Sequence, residues 1–140
     1  MAKALWSGRA LILPCLGMIR ILAMDEQTFK KRTKQFGLQV IGLVESLPRT
    51  RAAEVVGRQS LRCATSVGAN YRAACRGQSR ADVLAKLAIV EQETDESLYW
   101  LEMLVDSRIL ADDRVAPLMK EANELLAMTV ASLKTLRDRR

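Results

Sequence analysis

Four stretches of this chain repeat apolar residues at three- and four-residue steps, and that spacing suits one kind of local structure, a helix with one buried face. In the first, Phe29, Thr33, Phe36, Val40, Leu43, Val44 and Leu47 form the stripe, while Lys30, Lys31, Lys34 and Glu45 lie off it. In the second, Val56, Cys63, Ala64, Val67, Tyr71 and Ala74 share a face. The third carries an unusually wide arc of Leu87, Ile89, Val90, Leu98, Trp100, Leu101, Leu104 and Val105. In the fourth, Val115, Leu118, Met119, Ala122, Leu125, Leu126, Thr129, Leu133 and Leu136 recur. Runs that alternate β-branched and aromatic residues, the mark of strands, are absent from the sequence.

The breaks between stretches have chemical causes. Pro48 pushes the residue before it out of the helical region, so a first helix from Asp25 or Glu26 ends near Ser46. A second helix is predicted over Arg51–Arg76, before Gly77-Gln78-Ser79. Ser79 or Asp82 can cap a third that runs to Asp106. Ser107–Asp113 forms the last turn, Asp112 or Asp113 is expected to cap the fourth helix, and Pro117 is expected to fall in its first turn. Helices of this length joined by short turns make an all-α, antiparallel up-down-up-down four-helix bundle over residues 24–140. With only two Phe, two Trp and two Tyr, its core must be built from Leu, Val, Ile, Ala and Met.

Residues 1–23, MAKALWSGRALILPCLGMIRILA, do not join this pattern. Arg9, Pro14 and Arg20 interrupt or bracket the apolar run, which is too short to span a bilayer and lacks a clean cleavage site. The expectation is an N-terminal extension outside the bundle, with Met24 as the natural start.

Histidine is absent, which removes the commonest general base and the commonest metal ligand together. Cys15, Cys63 and Cys75 are odd in number and have no CxxC spacing, so free thiols in a reducing cytoplasm are expected. No Gly-rich phosphate loop, nucleophile elbow or metal-ligand spacing appears. These features predict a protein without catalytic residues, metal, cofactor, small-molecule substrate or membrane partner.

The charge is divided along the chain. Residues 30–80 hold eleven Lys and Arg against Glu45 and Glu54, a net +9, whereas residues 81–113 carry −7. On the second helix Arg51, Arg58, Arg62, Arg72 and Arg76 fall near one line, with Thr65 and Ala69 between them, and Arg80 would continue it if the helix ran that far. On the third, Glu91, Asp95, Glu102 and Asp106 form a narrow acidic stripe. Arginine suits carboxylate and phosphate alike, so two readings stand: the stripes pair within or between subunits, or the arginines follow a phosphate backbone. No aromatic residue interleaves the arginines, so base stacking is not implied. Glu93 and Glu96, nearest the third helix's apolar arc, are expected to bond Arg62, Asn70 or Tyr71. Ser66 and Asn70, at the border of the second helix's apolar face, suit inter-helix hydrogen bonds, while Tyr99 and Trp100 read as core or interface anchors. The wide third arc asks for a second partner surface, as a homo-oligomer would provide.

The segment Gln59–Arg80, QSLRCATSVGANYRAACRGQSR, resembles the signature of the bacterial four helix bundle protein family, also described as proteins encoded in intervening sequences of 23S rRNA genes. Gln59, Arg62, Ala64, Ser66, Val67 and Asn70 stand at its pattern positions, and KLAIVEQETDESLYWLEMLVDSRIL is similar to its third helix. The resemblance covers residues 29–136. Ala73 and Ala74 stand where a common form of the family has Glu-Gly, so no role of that glutamate carries over. The resemblance implies a homo-oligomer, with a pentamer as its form, and an association with ribosomal RNA or another nucleic acid. The related basic bundles of diversity-generating retroelements point the same way. The expected protein is a cytoplasmic, non-enzymatic homo-oligomer whose Lys30, Lys31, Lys34, Arg51, Arg58, Arg62, Arg72 and Arg76 contact an RNA or DNA backbone. Ser66, Asn70, Tyr71, Glu93, Glu96 and Trp100 then hold structural or interface positions. The alternative is a protein–protein adaptor or assembly bundle whose charges are used in subunit contacts.

Overall fold

Among the described residues, short oxygen-bearing side chains set three of the four helix starts. The computed structural model describes residues 25–139, so the expectations for residues 1–23, Met24 and Cys15 lie outside the described residues. Helix α1 spans Glu26–Glu45, and its Asp25 cap accepts from the Thr28 amide at 3.1 Å. Helix α2 spans Arg51–Cys75 with Thr50 capping Ala53. Helix α3 spans Arg80–Asp106, and Ser79 caps it through the Asp82 amide at 3.1 Å. Each cap satisfies one amide that the first turn leaves without a partner. Helix α4, Asp112–Asp138, differs from expectation, because Ala111 holds the cap position with no side-chain bond. Asp112 and Asp113 lie inside the first turn instead, where their charge complements the helix dipole. Pro117 falls in the second turn rather than the first, at an exposed position, and costs α4 one backbone hydrogen bond.

The four helices form an all-α bundle, each packed antiparallel on the next in chain order. α3 packs most extensively on α2 and also on α4, while α1 and α4 touch least of the helices that lie side by side. Phe36, Val40, Val67, Val83, Leu87, Val90, Leu101, Leu104, Leu125, Leu133 and Leu136 are fully buried along the axis. Two glycines let α1 and α2 come close: a Cβ on Gly37 would meet Ala64 O at 3.5 Å, and one on Gly68 would meet the Thr33 and Lys34 backbone at 3.4 Å.

The thin α1–α4 seam is held by charge. Arg32 of α1 grips Glu121 through both Nε (2.8 Å) and Nη2 (2.7 Å) and reaches Glu124 at 2.6 Å. The hydrogen bond to Glu121 leads the effects that raise its already high pKa, so the fork stays charged. Farther along, Arg114 donates to Ser46 Oγ at 2.8 Å. Arg80 does not continue the α2 stripe. It opens α3 and donates to the carbonyls of Leu136 and Arg137, satisfying the C-terminal end of α4.

The wide apolar arc of α3 is largely absorbed within one bundle, contrary to the demand for a second partner surface. Leu87, Val90, Leu98, Leu101 and Leu104 are buried, and Ile89, Trp100 and Val105 are half-buried, because α2 and α4 both lie against it. Among the described residues, the large apolar side chains left exposed are Leu38, Ile41, Val55, Tyr99 and Val130, three of them on α1 and α2.

Arg108, in the α3–α4 turn, sits at φ 60°, a left-handed conformation that costs a side chain with a Cβ about 1–2 kcal/mol. Glycine there relieves that strain but loses about 0.5–1 kcal/mol of chain entropy. Arg108→Gly is therefore expected to leave the urea midpoint unchanged or raise stability by up to about 1 kcal/mol, whereas Arg108→Val lowers it. Phe36→Ala, which empties a fully buried site, is expected to cost about 3–5 kcal/mol in the same assay.

Candidate functional site

The face of α2 that points away from the core carries Arg51, Val55, Arg58, Arg62, Thr65, Ala69, Arg72 and Arg76, all exposed. Their three- and four-residue spacing draws one line along the helix, and its charges have different fates. Arg58 pairs only with Glu54 of its own helix at 2.9 Å, and both side chains are open to solvent, so the pair contributes little. Arg51, Arg72 and Arg76, the last of which is the C-cap rather than part of the helix, make no ion pair among the described residues. On α1, Lys30 binds Glu26 at 2.5 Å, while Lys31 and Lys34 are exposed and likewise unpaired among the described residues.

Arg62 is the exception. Its Nη2 donates to Glu96 Oε1 at 2.5 Å and its Nη1 lies 3.5 Å from Glu93 Oε2, so the expected bond between Arg62 and the two glutamates is present. Asn70 and Tyr71 do not join it. Asn70 donates to Ser66 O (2.9 Å) and Oγ (2.8 Å) one turn back on α2, so both side chains are satisfied within the helix rather than between helices. Tyr71 is buried against Phe29, ring centroids 4.4 Å apart, and burial pushes its hydroxyl pKa upward. Trp100 Nε1 donates to Glu96 at 3.3 Å and its ring meets Tyr99 edge-on at 5.0 Å.

The sequence pattern did not reveal that Cys63 enters this cluster. Its sulfur accepts from Arg62 Nη2 at 3.2 Å, and its ligand atom and one carboxylate oxygen each from Glu93 and Glu96 lie within 4.8 Å of one another. Three such donors resemble a metal site, but the chemistry disfavours one. Burial, with the Glu96 charge behind it, pushes the Cys63 thiol up to about 12, so the sulfur stays a neutral thiol, and the guanidinium already supplies the positive charge. Glu93 Oε2 is buried without a hydrogen bond, so Arg62 is its only compensation among the described residues.

Glu91, Asp95, Glu102 and Asp106 form no ion pair among the described residues, and the last three are exposed. Of the two stripes, only Arg62 reaches α3, and it does so through Glu93 and Glu96, which lie off the acidic line. The basic surface also contains two recesses. One, of about 430 Å³, runs between α1 and α2 and is bordered by Lys30, Lys34 and Arg72. The other, of about 750 Å³, lies at the α1–α2 turn beside Arg49, Arg51 and Arg58. Arg49 was not singled out in sequence because it sits in the turn, off any helical stripe.

The family model described as 23S rRNA-intervening sequence protein matches residues 25–131. A crystal structure of a protein of unknown function from the S23 ribosomal protein family of Bacteroides thetaiotaomicron VPI-5482 is similar at 30% identity. It has a TM-score of 0.74, with 79% of this chain and 99% of that chain covered. No curated protein matches.

Removing Arg62 leaves a buried carboxylate oxygen uncompensated. Arg62→Ala is expected to cost about 1–3 kcal/mol in chemical denaturation, and adding Glu93→Gln is expected to recover part of that loss. Cys75, buried like Cys63, has its thiol pushed up to about 11 by burial. Because both pKa values are raised, the thiolate is scarce below pH 9. In a Cys15→Ser background, labelling by a thiol reagent at pH 8 should follow the global unfolding rate, and fast labelling of the folded protein would contradict this placement.

Proposed function

Because the chain belongs to the 23S rRNA-intervening sequence protein family, we propose that it is a non-enzymatic homo-oligomer that binds RNA or another nucleic acid along the phosphate backbone. One observation carries the reading: the outward cations of α1 and α2 are largely unneutralised. Arg51, Arg72, Arg76, Lys31 and Lys34 lack an acidic partner among the described residues, and Arg58 has only an exposed one.

Arg51 and Arg76 are separated by about 35–40 Å at the helical rise, a distance over which several phosphates can be met. Guanidinium forks suit phosphate oxygens, and no aromatic side chain lies on the α2 stripe to stack a base, so the contacts fit backbone rather than sequence. A patch of this size binds weakly alone, and repeating it around an oligomer multiplies its avidity. A reducing cytoplasm suits the two buried free thiols, Cys63 and Cys75. No described helix is long and apolar enough to cross a membrane. The second reading, an assembly bundle or adaptor, is favoured by the acidic stripe of α3, which forms no ion pair among the described residues.

The test is binding of a short single-stranded RNA across a salt series, with wild type compared with Arg51→Ala/Arg58→Ala/Arg76→Ala. The wild type should weaken steeply as salt rises. The triple variant should bind at least about tenfold more weakly, with a salt slope shallower by about 2–3. Absence of binding would remove the nucleic-acid reading and leave the assembly one, and binding that ignores both salt and these substitutions would remove the backbone contacts through these arginines.

A further inference from the structure

The recess between α1 and α2 is built differently from a phosphate track. Gly37 and Gly68 bring the two helices together, and with Thr65 and Ala69 they leave a shallow floor that no large side chain covers. Leu38 and Ile41 stand beside it, 51% and 39% exposed, and the charges of Lys30, Lys34 and Arg72 ring it. A phosphate gains nothing from exposed Leu and Ile. An apolar centre inside a charged rim is the anatomy of a protein–protein contact.

The same chain carries the matching shape. Glu91, Asp95, Tyr99, Glu102 and Asp106 succeed one another at four-, four-, three- and four-residue steps, which places them on one line of α3. Tyr99 stands at the middle of that line, 53% exposed and braced edge-on by Trp100, which Glu96 holds in turn. Along α2 the order is Arg62, Thr65, Ala69, Arg72, so small residues stand between cations. Along α3 the order is acid, tyrosine, acid. Neither the acidic line nor the rim cations Lys34 and Arg72 are neutralised within the chain among the described residues.

We infer that Tyr99 of one copy seats in the α1–α2 groove of a second copy, with Asp95 and Glu102 facing the second copy's Lys30, Lys34 and Arg72. The inference rests on the homo-oligomer reading above and specifies its contact. The two faces lie on different helices, so a single such contact leaves one unused face on each copy, and head-to-tail repetition builds a ring where the rotation between copies closes. It also divides the basic surface. Lys30, Lys34 and Arg72 serve assembly, while Arg49, Arg51, Arg58 and Arg76 remain for nucleic acid.

The experiment is sedimentation of the full chain at micromolar concentration, with circular dichroism confirming that each variant is folded. Wild type should sediment as an assembly. Asp95→Lys, Arg72→Glu and Tyr99→Ala, all at exposed positions, should each weaken association by about tenfold or more. The doubly substituted chain Asp95→Lys/Arg72→Glu should reassemble, because the reversed charges again face each other at every contact. An assembled wild type whose single variants also stay assembled would overturn the Tyr99 docking and leave the homo-oligomer reading standing. Dissociation of the single variants without recovery in the charge swap would overturn the pairing of these two faces. A monomeric wild type would overturn the oligomer reading and this inference together.

Discussion

A Cβ placed on Gly68 would sit 3.4 Å from the backbone of Thr33 and Lys34, and that close approach of α1 to α2 governs much of what the surface presents. Helices normally pack 8–10 Å apart, with the distance set by the side chains between them. Gly37 and Gly68 remove those side chains at the crossing. Inside, Phe36, Val40 and Val67 are driven into complete burial. Outside, the same approach leaves a shallow groove and aligns the lysines of α1 beside the arginines of α2. The opposite seam, between α1 and α4, has no such closeness and relies on Arg32 with Glu121 and Glu124.

The charge division follows from this arrangement. α1 and α2 are basic neighbours and α3 is the main acidic helix, yet only one contact neutralises the two sets against each other. Arg62 reaches Glu93 and Glu96, half-buried acids beside the core, and the outer acidic line forms no ion pair among the described residues. One face of the bundle is therefore attractive to polyanions and another repels them. A surface so divided both selects and orients what approaches it. It also lets one copy meet the next without spending the arginines at the ends of the stripe.

The fold was legible because periodicity and breakers agreed. Pro48, Ser79 and the 107–113 segment each mark a real turn, and the apolar stripes of α1, α2 and α4 are the buried faces. The departures share a cause, since each depends on how helices are set against one another. Arg80 looked like an extension of the α2 line, but α3 begins there and the α4 terminus lies within its reach. Asn70 sat at the edge of an apolar face, yet its nearest acceptor is Ser66 on its own helix. Glu93 and Glu96 lie off the exposed acidic line, so a helical projection puts them toward the core without saying that Arg62 and Cys63 wait there. The arc of α3 suggested an oligomer face by its width, whereas packing against both α2 and α4 absorbs most of it, and the exposed large apolar group of α3 is Tyr99, which lies on the acidic line outside the arc.

The central claim is that Arg51, Arg58 and Arg76, which are not held to another helix, meet the nucleic-acid backbone, while Arg32 and Arg62, paired across helix seams, keep the bundle together. The most direct measurement follows the Nε–Hε resonances of the arginine side chains during titration with RNA. The account predicts shifts at Arg51, Arg58 and Arg76, with Arg32 and Arg62 unmoved behind their glutamates. Shifts first at Arg32 and Arg62, or no arginine shifts at saturating RNA, would contradict it.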